Sequence, residues 1–391
     1  MARTSSETQE VVESQRLFVD ENSLARMIEI SIRNVLEAEL TEHLGAQRYE
    51  RSDERRGQRN GTKPRTMNSR LGKLHFQVPQ SRDSSFSPSV FDRYQRSERA
   101  LVAAMQEMMV QGVSTRRVGE VLEKMAGFTV SPATVSRSMA ELDEEIERFR
   151  NRPLTEFTYP YLVIDARYEK IRTNKHVVSQ AVLVVAGITD AGQREILGLW
   201  VDNSESEEAW GKVFKELRSR GLRGVELVVS DAHSGIRAAL ARHFQGVAWQ
   251  RCQIHLMREL IKKVSWRDDK ELSKDLRAIF VSESRETCLA VAEEVAAKWE
   301  KKAPELAKAL RAGIEDCLTV QEMPSEIRRR LRSTNMLERL MRSLKQRSQV
   351  VSIFPNAASC QRLLGAILLD IHEDWTSAEA KRYLNFDRLN P

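Results

Sequence analysis

Tyr161-Leu-Val-Ile-Asp165-Ala and Val225-Glu-Leu-Val-Val-Ser-Asp231 are the stretches whose reading decides the fold. Each is a short apolar run of strand composition that ends on an aspartate. Between them, Val177 to Thr189 and Ile196 to Val201 read as two further strands, with Asp190-Ala-Gly192 as their hairpin turn. A helix from Ser206 to Arg220 follows, closed by Gly221. Beyond Asp231 come a helix from Ser234 to Phe244 and a fifth short strand, Val247 to Arg251. Strand-strand-strand-helix-strand-helix predicts an α/β core on a mixed sheet. From about His255 to Pro324 the chain is helical and charged without strand signals, which predicts an all-α insertion before the last element of that core.

The two aspartates carry the chemistry. If the first and fourth strands are neighbours running the same way, Asp165 and Asp231 lie side by side at the strand ends. Two carboxylates 4 Å apart repel by about 4 kcal/mol at an effective dielectric near 20. A divalent cation removes that cost, and Mg²⁺ takes one or two carboxylates together with water and phosphate oxygens. Acids at strand ends also cap turns and helices, and Asp231 is placed to do so for the helix near Ser234. A third acid, Glu338, falls on a helix starting at Thr334 or Asn335, where Arg342 and Lys345 share its face. It is a candidate to complete the metal site, although Asn335 with Glu338 three residues later also resembles a capping box.

Upstream, Leu24, Ile28, Ile32, Leu36, Leu40 and Leu44 mark one helical stripe over residues 22–44, ending before Gly45, for a core or a partner helix. The segment Arg48 to Lys73, with nine basic residues, three acids, Asn60-Gly61 and Pro64, reads as loop-forming. Lys73 to Pro79 alternates like a strand, and Ser81 to Ser89 reads as a Ser/Pro-rich turn. Residues 97–150 return to helical period. A helix from Ser114, with Val118, Val121, Leu122 and Met125 inward, meets a Gly127 turn. A second helix then starts at Ser131 as N-cap and Pro132, with Val135, Met139 and Leu142 inward and Thr134, Ser136 and Arg137 outward. This pattern matches a DNA-reading helix-turn-helix, and short helical hairpins of other function share it.

Composition excludes several classes. In 391 residues, 41% hydrophobic and 30% charged, the longest run without a polar side chain is Ala181 to Ile188, eight residues, far short of the roughly 20 a membrane span needs. The first residues carry no apolar leader core, and Cys252, Cys288, Cys317 and Cys360 have no close pairwise spacing, so a reducing cytoplasm is expected. The net charge of +6 matters less than its distribution. Besides Arg48 to Lys73, eight basic residues lie between Glu326 and Arg347, and either patch would neutralise phosphates or form a solvated face.

The motifs together resemble transposases of the prokaryotic Mutator-type insertion-sequence family, over about Arg59 to Trp375. They are Gly112-Val-Ser-Thr-Arg, Ser131-Pro-Ala-Thr-Val-Ser-Arg, Arg152-Pro-Leu with Tyr159-Pro-Tyr-Leu-Val-Ile-Asp165-Ala, Arg194-Glu-Ile-Leu-Gly and Glu205-Ser-Glu-Glu-Ala-Trp210. They continue through Arg220-Gly-Leu-Arg-Gly-Val, Val229-Ser-Asp231-Ala-His-Ser-Gly, Trp249-Gln-Arg-Cys252-Gln-Ile-His255, Ser333-Thr-Asn-Met-Leu-Glu338-Arg and Phe354-Pro-Asn. Ala232 and Ser333 depart from the glycine and threonine usual there.

The resemblance implies an α/β fold with an RNase H-like mixed-sheet catalytic core and an all-α insertion, preceded by a mainly helical N-terminal DNA-binding region with a helix-turn-helix. The implied division is 1–96 for oligomerisation and DNA contact, 97–152 for the helix-turn-helix, 153–254 and 328–391 for the core, and 255–327 for the insertion. It implies a DNA transposase with a catalytic, metal-binding triad of Asp165, Asp231 and Glu338, using two Mg²⁺ per site, with Mn²⁺ able to substitute. Expected DNA contacts are Arg116, Arg117, Thr134, Ser136 and Arg137, then Arg55, Arg56, Arg59 and Lys63, and finally Arg342 and Lys345. Cys252 and His255 form a Cys-x-x-His pair that does not close a tetrahedral zinc site on its own, so a structural or DNA-positioning role is expected. The partners implied are double-stranded DNA, both terminal inverted repeats and target, and a second copy of the chain held through residues 22–44, in a nucleoid-associated cytoplasmic assembly without a membrane. A catalytically silent DNA-binding regulator and an RNase H-like nuclease without strand transfer are the competing readings.

Overall fold

The computed structural model describes residues 23–51, 53–91, 97, 99–282 and 284–386. The chain divides into two units between Met139 and Ala140. In the first, helix α1 (Ser23–Leu44) stops as expected before Gly45, which takes φ +65. Leu36, Leu40 and Leu44 of its stripe are buried, Ile28 and Ile32 are partly covered, and Leu24 is exposed. The helix packs on a two-stranded antiparallel ribbon of β1 (Arg59–Ser69) and β2 (Gly72–Ser81), where Leu36 meets Leu74, Phe76 and Phe91.

Strand β1 corrects the loop expected between Arg48 and Lys73, and adds a strand ribbon to a region that is otherwise mainly helical, as expected. Pro64 stands opposite Gln77 in a two-stranded ribbon, where a residue lacking an N–H is tolerated. Asn60-Gly61 lies at a register shift between Arg59 and Thr62, with Gly61 at φ +71, so the turn signal marks a bulge instead of a loop.

Three helices complete this unit: α2 (Arg99–Val110), α3 (Thr115–Ala126) and α4 (Pro132–Ser138). The cap at Ser131 is the one expected, and Ser114 caps the preceding helix in the same way. The Ser114 hydroxyl accepts from Arg117 N and the Ser131 hydroxyl from Thr134 N, while Gly127 ends α3 at φ 67. Val118, Leu122, Val135 and Met139 are buried, but Met125 is 71% exposed. The inward face of α3 is instead completed by Gly119, where an added Cβ would stand 2.7 Å from the Val130 carbonyl.

The second unit starts with α5 (Asp143–Asn151) and a sheet of β3 (Tyr161–Thr173), β4 (His176–Ile188), β5 (Arg194–Asp202), β6 (Leu227–Ser230) and β7 (Ala248–Arg251), in the order β5-β4-β3-β6-β7. The β3–β4 and β4–β5 pairs are antiparallel, and β6 runs parallel to both β3 and β7. This is the mixed α/β sheet the strand pattern predicts. On one face α6 (Glu207–Ser219) and α7 (Ser234–His243) bury Trp210, Phe214 and Ile236 against Leu162, Ile164, Leu183 and Val228. Side chains alternate along a strand, so the odd-numbered residues of β3 face the other way. There α13 (Asn335–Ser348) and α14 (Ala357–Thr376) pack, and Arg167 on β3 donates to the Met341 carbonyl at 3.2 Å.

Between β7 and α13 lie α8 (Gln253–Ile261), α9 (Asp269–Ile279), α10 (Arg285–Glu300), α11 (Pro304–Gly313), short 3₁₀ turns and α12 (Ser325–Leu331). The helices α8 to α11 close on their own apolar cluster, including Leu260, Leu276, Trp299 and Leu310. Two buried glutamines tie its far end back to the sheet: Gln250 and Gln253 Nε2 donate to the Cys317 carbonyl at 2.8 and 3.0 Å. The Gln253 N–H reaches the Arg332 carbonyl at 3.0 Å, which sets the start of α8 beside the start of α13.

Several motif residues serve this framework. Arg152 reaches Glu195 at 3.4 Å and the Ile196 carbonyl at 2.5 Å, Tyr159 donates to Glu195 at 3.1 Å, and Arg220 donates to the Arg152 and Leu197 carbonyls. A partly buried arginine pair is tolerated here because carbonyls and one carboxylate receive it.

Gly119→Ala forces backbone apart at the α3 contact with Val130 and is expected to cost about 1–3 kcal/mol, whereas Met125→Ala, at an exposed position, is expected to cost under about 0.5 kcal/mol. Denaturant unfolding of the two variants checks the contrast.

Candidate active site

Strands β3 and β6 pair in parallel with Tyr161 opposite Leu227 and Val163 opposite Val229. That offset of 66 residues equals the separation of Asp165 and Asp231, so both acids stand at matching positions just past the last paired residues. Asp165 shares the parity of Val163 and faces the side of the sheet that α13 covers. Asp231 is not the cap of α7. His233 holds that place, its Nδ1 accepting from Gly235 N at 3.3 Å, and the Asp231 carboxylate accepts from His233 N at 3.1 Å.

Glu338 lies in the first turn of α13. The capping box does not form: Thr334, not Asn335, is the cap residue, and its hydroxyl points to the Cys252 sulfur at 3.4 Å. The Glu338 carboxylate is instead gripped at both oxygens by Arg258, at 2.9 and 2.8 Å, with His255 Nε2 at 3.7 Å. Arg258 and His255 are one turn apart on α8, and Cys252 immediately precedes that helix. Ligand atoms of Cys252, His255 and Glu338 all lie within 4.8 Å of one another. Among the described residues the three acids do not make so tight a group.

Electrostatics nevertheless join them. Burial, more than any neighbour, pushes the Asp165 carboxyl up to about 7; Asp231 and Glu338 add to the rise, and His255 and the Ala166 N–H oppose it. His255 is raised to about 9, by the Cys252 sulfur beside it first and then by Asp165 and Glu338, against the effect of burial. Glu205, 8% exposed at the end of the β5–α6 connection, is likewise raised to about 7 by burial and by Asp231. Its carboxylate accepts from Trp210 Nε1 at 3.4 Å. A pocket holding several carboxylates, with His255 and Arg258 as the cations beside them, has a donor set suited to hard divalent ions.

Similarity to known proteins covers the same residues. The family model described as transposase, Mutator family, matches residues 1–378. The chain belongs to the Mutator family of transposases. It is 41% identical over 389 residues to the transposase for insertion sequence element ISRM5 of Rhizobium meliloti, covering all of this chain and 97% of that protein. It is 38% identical over 393 residues, 98% of each chain, to the transposase for insertion sequence element IS256 in transposon Tn4001 of Staphylococcus aureus. The transposase for insertion sequence element IS406 of Burkholderia multivorans is 41% identical over 363 residues, 92% of each. Among the described residues no helix is long and apolar enough to cross a membrane.

The remaining sequence candidates fall in two sets. In the first unit Arg116, Arg117, Ser136 and Arg137 are exposed and Thr134 is half-buried, with Arg137 folded back onto the Ala133 carbonyl and the Thr134 hydroxyl. Arg55, Arg56 and Lys63 are exposed. Arg59 is engaged by Glu37 at 2.5 Å and Thr41 at 2.7 Å, so its guanidinium holds β1 to α1. In the second unit Arg342 and Lys345 are exposed on α13. Sequence reasoning missed Arg258 and Glu205. Arg258 follows His255 by three residues, a helical-face spacing that flags it once the helix is known. Glu205 opens a motif already singled out, but nothing in its neighbours marks it as buried.

Because the folded value of Asp165 lies above the ordinary 3.8, its contribution to stability is full below that value and is lost as pH rises through about 7. Without divalent ions, Asp165→Asn should therefore gain stability relative to the parent as pH rises from about 4 to 7. A pH-independent difference in melting temperature would show that Asp165 titrates normally.

Proposed function

We propose that this chain cleaves DNA strands and joins them at the terminal inverted repeats of an insertion sequence, through Asp165, Asp231 and Glu338 on an RNase H-like core. The observation that carries this reading is the β3–β6 register, which sets Asp165 and Asp231 at equivalent strand ends on a sheet that α13 covers with Glu338. The strand order β5-β4-β3-β6-β7, three antiparallel strands flanked by two parallel ones, supports the core assignment. The all-α segment between β7 and α13 supports the insertion.

Mg²⁺, or Mn²⁺ in its place, fits the oxygen donors of Asp165, Asp231 and Glu338, and two such ions supply activation of an attacking hydroxyl and stabilisation of the leaving oxygen in displacement at phosphorus. The chain's own part is to hold three carboxylates in one partly dehydrated place. Asp165 binds ions poorly while it holds its proton, so its ionisation near neutral pH gates loading. Arg258, half exposed, holds both oxygens of the Glu338 carboxylate and has water at hand to replace them when an ion binds. Once released, its guanidinium is free for a backbone phosphate, with Arg342 and Lys345 on α13 as further phosphate contacts.

The α3–turn–α4 pair is the proposed helix-turn-helix, with Ser136 and Arg137 in the last turn of its short second helix presented to base edges and Arg116 and Arg117 to the backbone. Joining two ends requires two to be held, and the exposed Leu24, Met27, Ile30 and Val35 of α1 offer the second-copy contact.

Asp165→Asn, Asp231→Asn and Glu338→Gln are each expected to abolish nicking and joining of end-bearing DNA while end binding persists. Retained cleavage in any of them overturns the triad. Nicking without joining to a supplied 3′-hydroxyl would favour the nuclease reading. Arg137→Ala is expected to weaken binding to the element ends by about 1–3 kcal/mol. An equal loss on random DNA, measured in the same titration, would remove base reading from α4.

A further inference from the structure

We propose that Cys252, His255 and Glu338 form a second, soft-metal site, suited to zinc, whose occupation draws Glu338 away from Asp165 and Asp231 and so inhibits the chain. The proposal rests on Glu338 being the third catalytic carboxylate. The sequence shows a Cys-x-x-His pair without a matching second pair, and the fold supplies the missing ligand from 83 residues further along, at the start of α13.

Three observations carry it. Ligand atoms of the trio all lie within 4.8 Å of one another, and His255 Nε2 and Glu338 Oε1 are 3.7 Å apart. With bonds of about 2.0–2.3 Å, neighbouring corners of a zinc tetrahedron lie roughly 3.3–3.8 Å apart, so small side-chain rotations close the site. The Cys252 sulfur is fully buried and receives two donors, Thr334 N and Thr334 Oγ1, each at 3.4 Å. Two hydrogen bonds aimed at one sulfur favour the thiolate, the form a metal takes, and support it from behind. His255 turns its Nε2 to the Glu338 carboxylate, and its buried Nδ1 has no hydrogen-bond partner, so no group outside the cluster holds that nitrogen.

Softness separates the two uses of Glu338. Thiolate and imidazole select zinc over magnesium, whereas a set made of carboxylates prefers the hard ion. In the ion-free chain the positive charge that zinc would bring is supplied by Arg258 and by the imidazolium of His255. Loading requires Arg258 to release at least one carboxylate oxygen, and the protons on the imidazole and sulfur pass to water. Three protein ligands leave the fourth position to water.

The test uses the full-length chain and cobalt(II) alone as a spectroscopic stand-in for zinc. Near-ultraviolet thiolate-to-cobalt absorption is expected in the parent, bleached by zinc, absent in Cys252→Ser and at least about tenfold weaker in affinity in Glu338→Gln. Cys288, Cys317 and Cys360 are buried elsewhere and remain in every variant. No such absorption in the parent, or undiminished affinity in Glu338→Gln, overturns the site. In magnesium-supported cleavage, zinc should inhibit the parent and inhibit Cys252→Ser at least about tenfold less at equal concentration, each relative to its own zinc-free rate. Equal inhibition overturns the regulatory claim. Cleavage retained by Asp165→Asn would defeat the active-site reading alone, because the cobalt signal reports on the thiolate site without any turnover.

Discussion

The parallel pairing of β3 with β6 governs the second unit, because it puts two negative charges at neighbouring strand ends and obliges everything nearby to answer them. The answer is assembled from remote parts of the chain. His255 and Arg258 arrive on α8, immediately after β7, and Glu338 arrives on α13 after the helical insertion has closed on its own core. Buried glutamines Gln250 and Gln253 and the Arg332 carbonyl hold that return, so the insertion adds length without loosening the start of α13. A site held by such buried hydrogen bonds keeps its geometry while its charges change, which is what an ion-dependent centre requires.

Glu338 occupies an unusual position between two donor sets of opposite chemical character. On one side lie the carboxylates of Asp165 and Asp231, and on the other a buried sulfur and an imidazole. The half-exposed guanidinium of Arg258 balances the Glu338 carboxylate while keeping much of its own hydration. The same charge held deep in the interior would cost several kcal/mol to release.

Much of the architecture was legible in the chain order of apolar runs. The five strands, their hairpin at Gly192, the helix starts at Ser114 and Ser206, the cap at Ser131 and the extent of α1 all follow from local periodicity and turn chemistry. The failures share a cause. Pro64 and Asn60-Gly61 signal a break only if the strand is central, and β1 lies in a two-stranded ribbon. Met125 has the right spacing for the core of α3, yet Val130 closes on Gly119 and leaves that methionine outside. Arg59, read only as part of a basic run, meets Glu37 and Thr41 of α1. In each case packing against another element, and not the local pattern, decided the outcome.

The sequence by itself determined the element types, the placement of Asp165 and Asp231 at strand ends and the family to which the chain belongs, because these depend on side-chain period, turn residues and the order of motifs. Only the tertiary structure decided what Glu338 touches, that Thr334 spends its hydroxyl on a sulfur, and that Arg258 and Glu205 stand in the site. Those facts depend on which surfaces meet after the insertion folds back, and contact between residues some 80 positions apart leaves no periodic trace in a single chain.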